Sequence, residues 1–264
     1  MNNPVLILCM KWGSMYGPEY VNRLKNGVSR HLPIPHRFIC FTDDSEGLDP
    51  DVEAFPLPEL SLPDNSKDKR WQKLALFKKE LYGLQGTALF LDLDVVIVAN
   101  LEPLFTSEGD FLIIRDDDLF RRKPFRWLKP KLDHFLAIVG NSSVFRFRIG
   151  AHSYILDNYT ADPVSAMSNY KISQQFQSAQ LAKYNHLQYW PKSWCVSFKN
   201  HCVPHAIKSF FIDPSLPATA RIVVFAGDPK MSDVIAGEGG KWYRKIGNVD
   251  WLKSAWEGPS NGET

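Results

Sequence analysis

The stretch LFLDLDVVIVANLEPLF, Leu89–Phe105, sets the reading of the whole chain. It is a run of large apolar residues broken early by two acids, Asp92 and Asp94. A carboxylate inside an apolar strand is costly unless a partner offsets its desolvation. The pattern therefore predicts a buried strand whose carboxyl end, just after Ala88–Leu91, delivers two acids to a ligand. Residues two apart in a strand point to the same side, so Asp92 and Asp94 are expected to face one site. Two carboxylates on one side make a hard-oxygen donor pair suited to Mg²⁺ or Mn²⁺. In open α/β sheets, ligands bind at the carboxyl ends of strands. Asp-x-Asp is common by chance, and its place after an apolar strand is what gives it weight here.

Working outward, DKRWQKLALFKKELYG (68–83) predicts a helix. Asp68 can cap it, Gly83 can end it, and Trp71, Leu74, Ala75 and Leu81 share a face. Near the start, PVLILCM is a continuous apolar run, as in a strand buried on both faces. GPEYVNRLKNGVSRHL follows as an amphipathic helix, with Pro18 at its first position and Tyr20, Leu24 and Val28 along one side. HRFICFTDD, VEAFPLP and GDFLIIRDDD read as further strands. Alternating strands and helices predict an α/β fold with an open, mostly parallel central sheet flanked by helices. Past residue ~120 the periodicity loosens. Weak helices are expected near 148–158 and 174–184, one strand in ARIVVFAGDPK, and a short amphipathic piece before a polar tail. No repeat or linker divides the chain, so one domain over 1–264 is expected, with a nucleotide-type first half and a more irregular second half from about 121.

Composition narrows the function classes. The chain has 264 residues, 44% hydrophobic and 23% charged, with a net charge of +2. That balance carries no general signal for nucleic acid. No apolar run reaches the ~18–20 residues of a membrane helix. The opening MNNPVLILCMKW lacks a basic leader, so no signal peptide is expected. Four cysteines, Cys9, Cys40, Cys195 and Cys202, show no zinc-knuckle spacing, and a reduced cytoplasmic setting is expected. One local run departs from the average: RRKPFRWLKPK (121–131) holds six basic residues and two aromatics. It is either a solvated loop or a contact with an anionic acceptor or, peripherally, with anionic lipid at the inner membrane face.

Two families use an acid pair in this setting. LDLDVV, together with a late GDPKMSD carrying Asp228 and Asp233, is similar to haloacid dehalogenase-type phosphatases. In those enzymes the acid strand comes early, whereas here more than 85 residues precede it. The wider series resembles GT-A glycosyltransferases of the family 8, glycogenin-like type. VLILCMKWGSMYG resembles their donor-binding opening, FICFTDD their second strand, and RWQKLALFKKELYGLQGTALFLDLDVVIVANLEPLF their helix, turn and Asp-x-Asp strand. GNSSVFRF (140–147) is similar to their Asn-Ser-Gly-Val strand, and VFAGDPK to their late His-Phe-x-Gly-x-x-Lys motif. The pieces fall in the family's order.

That resemblance implies transfer of a sugar from a nucleotide-sugar, a UDP-sugar above all, to a hydroxyl of a glycan, glycolipid or other acceptor, with retention of configuration. It implies Asp92 and Asp94 as metal ligands and Lys230 on the diphosphate beside Gly227. Lys73 is implied as the basic helix residue reaching the donor. Met10, Lys11, Trp12 and Tyr16 after the first strand, and Leu93 between the acids, fall in the donor-binding set, an aromatic there being placed to stack on a base. Asn141 and Ser142 are implied as partners of the donor sugar or acceptor. Gln174 and Gln175 stand beside the reacting carbon, with Ser173 where the family has Asp. The family's late His ligand has no counterpart, since Val224 and Ala226 stand there. A catalytically inert nucleotide-sugar binder and a phosphohydrolase remain the alternative readings.

Overall fold

The computed structural model describes residues 4–63, 69–119 and 139–258. Asp68 and the basic run 121–131 lie outside them. The strands, in chain order, are β1 (Val5–Lys11), β2 (His36–Thr42), β3 (Glu53–Pro56), β4 (Thr87–Leu91) and β5 (Val95–Ile97). They continue with β6 (Phe111–Arg115), β7 (Gly140–Arg148), β8 (Leu187–Tyr189), β9 (Cys195–Ser197) and β10 (Ile222–Val224). The main sheet has the order β3-β2-β1-β4-β7-β6-β8, and a second sheet has the order β5-β10-β9. In the main sheet β7 alone runs against its neighbours, pairing antiparallel with both β4 and β6. The expected mostly parallel sheet is what the structure shows.

The apolar runs fill both faces. Leu6, Leu8 and Met10 of β1 point into one core, and Ile7 and Cys9 into the other, as the two-residue period of a strand requires. Helix α1 (Pro18–His31) covers the second face with Val21, Leu24 and Val28. The opposite face is covered by a 3₁₀ segment, Lys69–Phe77, with helices α3 (Ser153–Ala161) and α5 (Ser173–Lys183). Short helices α2 (Glu102–Thr106) and α4 (Pro163–Asn169) lie between them in sequence. A third core under the small sheet takes Val96, Val223, Phe225 and helices α6 (Met231–Ile235) and α7 (Asp250–Glu257). All four cysteines are free and buried. Among the described residues no helix is long and apolar enough to cross a membrane.

Two expectations are corrected. The expected helix 68–83 is not one α-helix over its described residues: Lys69–Phe77 winds as a 3₁₀ segment and the chain then turns through Tyr82 and Gly83, both at positive φ. Leu74, Ala75, Leu76 and Phe77 are consecutive and all buried, so the segment has no solvent face there and is shaped by packing rather than by α periodicity. The acid stretch is not one strand either. β4 stops at Leu91, a turn holds Asp92–Asp94, and β5 starts a different sheet at Val95.

Candidate active site

The turn between the two sheets forms the floor of a cleft of about 550 Å³. Two backbone bonds hold it: Asp92 N–H donates to Ser143 O at 2.9 Å, and Phe225 N–H donates to Asp94 O at 2.9 Å. The first follows from the reversed β7, whose start is laid against the carboxyl end of β4 (Leu91 pairs with Val144). The second ties the acids to the end of β10.

The two acids have different surroundings. Lys73 Nζ lies 2.6 Å from Asp92 Oδ1 and 2.7 Å from Oδ2, and also donates to Ser142 O at 3.3 Å. Its ammonium sits 5.1 Å from the centre of the Phe90 ring. The pair is only 13% and 23% exposed, so it is screened little by water. Asp94 has no such cation. Its Oδ1 is shut off from solvent without a hydrogen-bond partner. Burial, then the charge of Asp92, pushes its carboxyl up to about 7, against the pull of Lys73 and its own backbone amide. Burial followed by the charges of Asp94 and Asp92 also pushes the Tyr16 phenol well above its usual range.

Across the cleft, Ser173 Oγ donates to Arg70 O at 2.7 Å, joining the start of α5 to the 3₁₀ segment. Gln174 Oε1 accepts from Ser142 N–H at 3.4 Å. Of the sequence-derived residues, Met10, Trp12, Tyr16, Lys73, Asp92, Leu93, Asp94, Ser142 and Gln174 all line this one cleft. The others stand apart. Lys11 is buried, at 4% exposure, and donates to Asp44 O at 2.9 Å. Asn141 Nδ2 donates to Asp116 Oδ1 at 3.2 Å. Gln175 Oε1 accepts from Lys171 N–H, turning back on its own helix start. Lys230 begins α6, its N–H donating to Asp233 Oδ2 at 3.1 Å. Gly227 has φ +76°, which a side chain would strain, and it does not line the cleft.

Sequence reading missed Met15, Lys69, Arg70, Ser143 and Ile172 on the cleft wall, where Ser173 also stands. Lys69 carried a signal, one helical turn before Lys73 on the same face. Ile172 carried none, being brought in by the packing of α5. Neither Asp228 nor Asp233 lines the cleft, and Asp233 is engaged at the start of α6, which leaves the phosphatase reading without its second acid pair.

A divalent cation fits the acids' chemistry. The buried, unpartnered Asp94 Oδ1 is an oxygen waiting for a cation or a proton. Asp92 completes a hard-oxygen pair, at the cost of sharing its carboxylate with Lys73. Among the described residues no third His, Cys, Asp or Glu joins them. His201 Nδ1 accepts from Ser197 N–H at 3.0 Å instead.

No family model matches the chain, and no curated protein sequence does so. Solved structures do. The galactosyltransferase LgtC, in complex with donor and acceptor sugar analogues, aligns with 86% of this chain and 88% of its own, at TM-score 0.56 and 12% identity. An active-site variant of LgtC aligns with 86% and 89%, at TM-score 0.56 and 11% identity. The bifunctional glycosyltransferase WbbM aligns with 88% of this chain, which spans 47% of WbbM, at TM-score 0.58 and 13% identity. The reversed β7, the sheet order and these alignments agree: the chain has the GT-A fold of glycosyltransferases.

Proposed function

We propose that the chain is a glycosyltransferase that moves a sugar from a nucleotide-sugar, a UDP-sugar, to a hydroxyl acceptor, with Mn²⁺ or Mg²⁺ held by Asp94 and Asp92. The observation that carries this reading is the unpartnered Asp94 Oδ1 at the floor of a cleft rimmed by Lys69, Arg70 and Lys73. LgtC is a galactosyltransferase solved with donor and acceptor analogues, which supports a sugar donor and a sugar acceptor for a chain of the same fold.

When bound, the cation would supply Lewis-acid neutralisation of charge on the departing diphosphate. Lys73 is held within reach of the same region by Asp92 and Ser142 O, so its ammonium is preorganised rather than recruited. Lys69 and Arg70 add positive charge at the rim. Trp12 and Tyr16 offer aromatic surface after β1 for a base. Ser142 and Gln174, already joined to each other, present polar groups to the sugar. Retention of configuration, with the leaving phosphate taking the acceptor proton, belongs to this reading, as no separate base is required of the protein. Lys230 and Gly227 join the donor site in this reading only if the 227–230 turn moves toward the cleft.

Melting the protein with UDP, with and without Mn²⁺, tests the reading. Metal-dependent stabilisation is expected, about 3 kcal/mol at a hundredfold excess over Kd. Turnover of a UDP-sugar that Asp94→Ala abolishes separates an enzyme from an inert binder. Unchanged turnover in that variant, or no response to UDP, would sink it.

A further inference from the structure

Ten large apolar residues stand exposed among the described residues, and six of them fall in two short segments. Ile207, Phe210, Phe211 and Ile212 occupy the first, with Phe211 83% and Ile207 75% exposed; Trp242, at 91%, and Tyr243 occupy the second. The segments are neighbours in space. Lys245 N–H donates to Ser209 Oγ at 3.0 Å, and Asn248 N–H donates to Asp213 Oδ1 at 2.9 Å. Lys241 and Arg244 pair across a tight turn, which puts Trp242 and Tyr243 at its tip. Arg244 anchors the turn from below, with Nη2 donating to Val203 O at 3.1 Å.

The charged residues of the two segments are basic. Lys208, Lys241 and Lys245 are exposed beside the apolar side chains. No acid occurs from His205 to Ile212 or from Lys241 to Asn248, and the exposed Asp213 that adjoins the first segment is engaged by Asn248 N–H. A patch of this kind on a folded protein marks an interaction surface. Its composition selects the partner. Tryptophan, tyrosine and phenylalanine interleaved with lysine suit the boundary between lipid headgroups and acyl chains, where rings sit in the apolar layer and ammonium groups reach outward. A protein partner would need a complementary concave surface, and the three lysines in its rim would be desolvated at a cost.

We propose that residues 205–212 and 241–245 form a ledge that docks the protein on the surface of an anionic lipid bilayer. Arg244 also bonds Lys199 O, and Lys199 Nζ reaches Asp228 O at 3.3 Å, which ties the ledge to the turn after β10. The ledge shares no residue with the basic run 121–131. It stands on its own geometry and does not depend on the sugar-transfer reading.

The test is sedimentation of the intact chain with vesicles of phosphatidylcholine alone or with one-third phosphatidylglycerol. Binding is expected only to the anionic vesicles and is expected to weaken as salt rises. Lys208→Glu with Lys241→Glu should lower the partition coefficient by more than tenfold, since each removed cation is worth roughly fivefold. Phe211→Ser with Trp242→Ser should lower it by at least tenfold, with an unchanged melting temperature because both side chains are exposed. Equal binding to neutral and anionic vesicles would overturn the proposal. So would binding that survives both double variants and is lost on replacing Arg121 and Arg122. A concentration-dependent dimer in sedimentation velocity that Trp242→Ser dissociates would assign the ledge to a second copy of the chain instead.

Discussion

Asp92 and Asp94 are two residues apart, yet the chain treats them as different groups. Asp92 is neutralised by Lys73 at 2.6 Å, while Asp94 is buried without a cation. The Asp94 carboxyl is raised above its free value of 3.8 to about 7. Raised acids favour the folded state fully below the unfolded value and lose that contribution as pH rises through the folded one. The metal-free protein should therefore lose stability between about pH 4 and 8, and Asp94→Asn should remove that loss. Calorimetric melts of both proteins across this range check it; a constant gap in Tm would refute it. Mn²⁺ must displace the same proton, so its affinity should rise with pH up to about 7. Lys73→Met should cost about 2 kcal/mol, because a half-buried carboxylate then loses its partner. The same variant should weaken UDP binding, which separates it from a purely structural lysine.

The acids owe their surroundings to the elements. Two short strands in different sheets meet at their turn, and the start of β7 is laid beside it by antiparallel pairing. Buried Arg146 on β7 holds the loop after α2, donating to Leu104 O and Ser107 O at 2.8 Å and to Gly109 O at 2.6 Å. Burial pulls its guanidinium below the usual value. Arg146→Met strands three carbonyls and should cost about 3 kcal/mol, read from the urea midpoint. Gly150, after β7, has φ +78°, and a Cβ there would stand 2.7 Å from Lys79 O. Gly150→Ala should cost about 2 kcal/mol, because the backbone at Lys79, after the 3₁₀ segment, cannot yield as a side chain could.

At the scale of the whole molecule, the cleft is a junction of the 3₁₀ segment, the β4–β5 turn, the start of β7 and the start of α5. A donor bound there would bridge all four. UDP with Mn²⁺ should raise amide hydrogen-exchange protection at 69–73, 142–143 and 172–174 together, and leave 206–212 unchanged. Protection confined to one of these segments would contradict a shared site.

Some of this was legible without coordinates. The apolar runs of β1 and β4, the face of α1 and the acids after Leu91 reflect local burial, and burial leaves a periodic trace in sequence. The ordered motifs that resemble family 8 glycosyltransferases spanned most of the same fold. The tertiary structure alone decided the rest. Strand direction is set by global packing, so nothing in GNSSVFRF announced that β7 runs backward and carries Ser143 to Asp92. The consecutive buried residues 74–77 suited an α-helix as well as the 3₁₀ turn that forms. The pairing of Lys73 with Asp92, and the loneliness of Asp94, depend on a contact between segments 19 residues apart, and a distance through space has no signature in a string of letters.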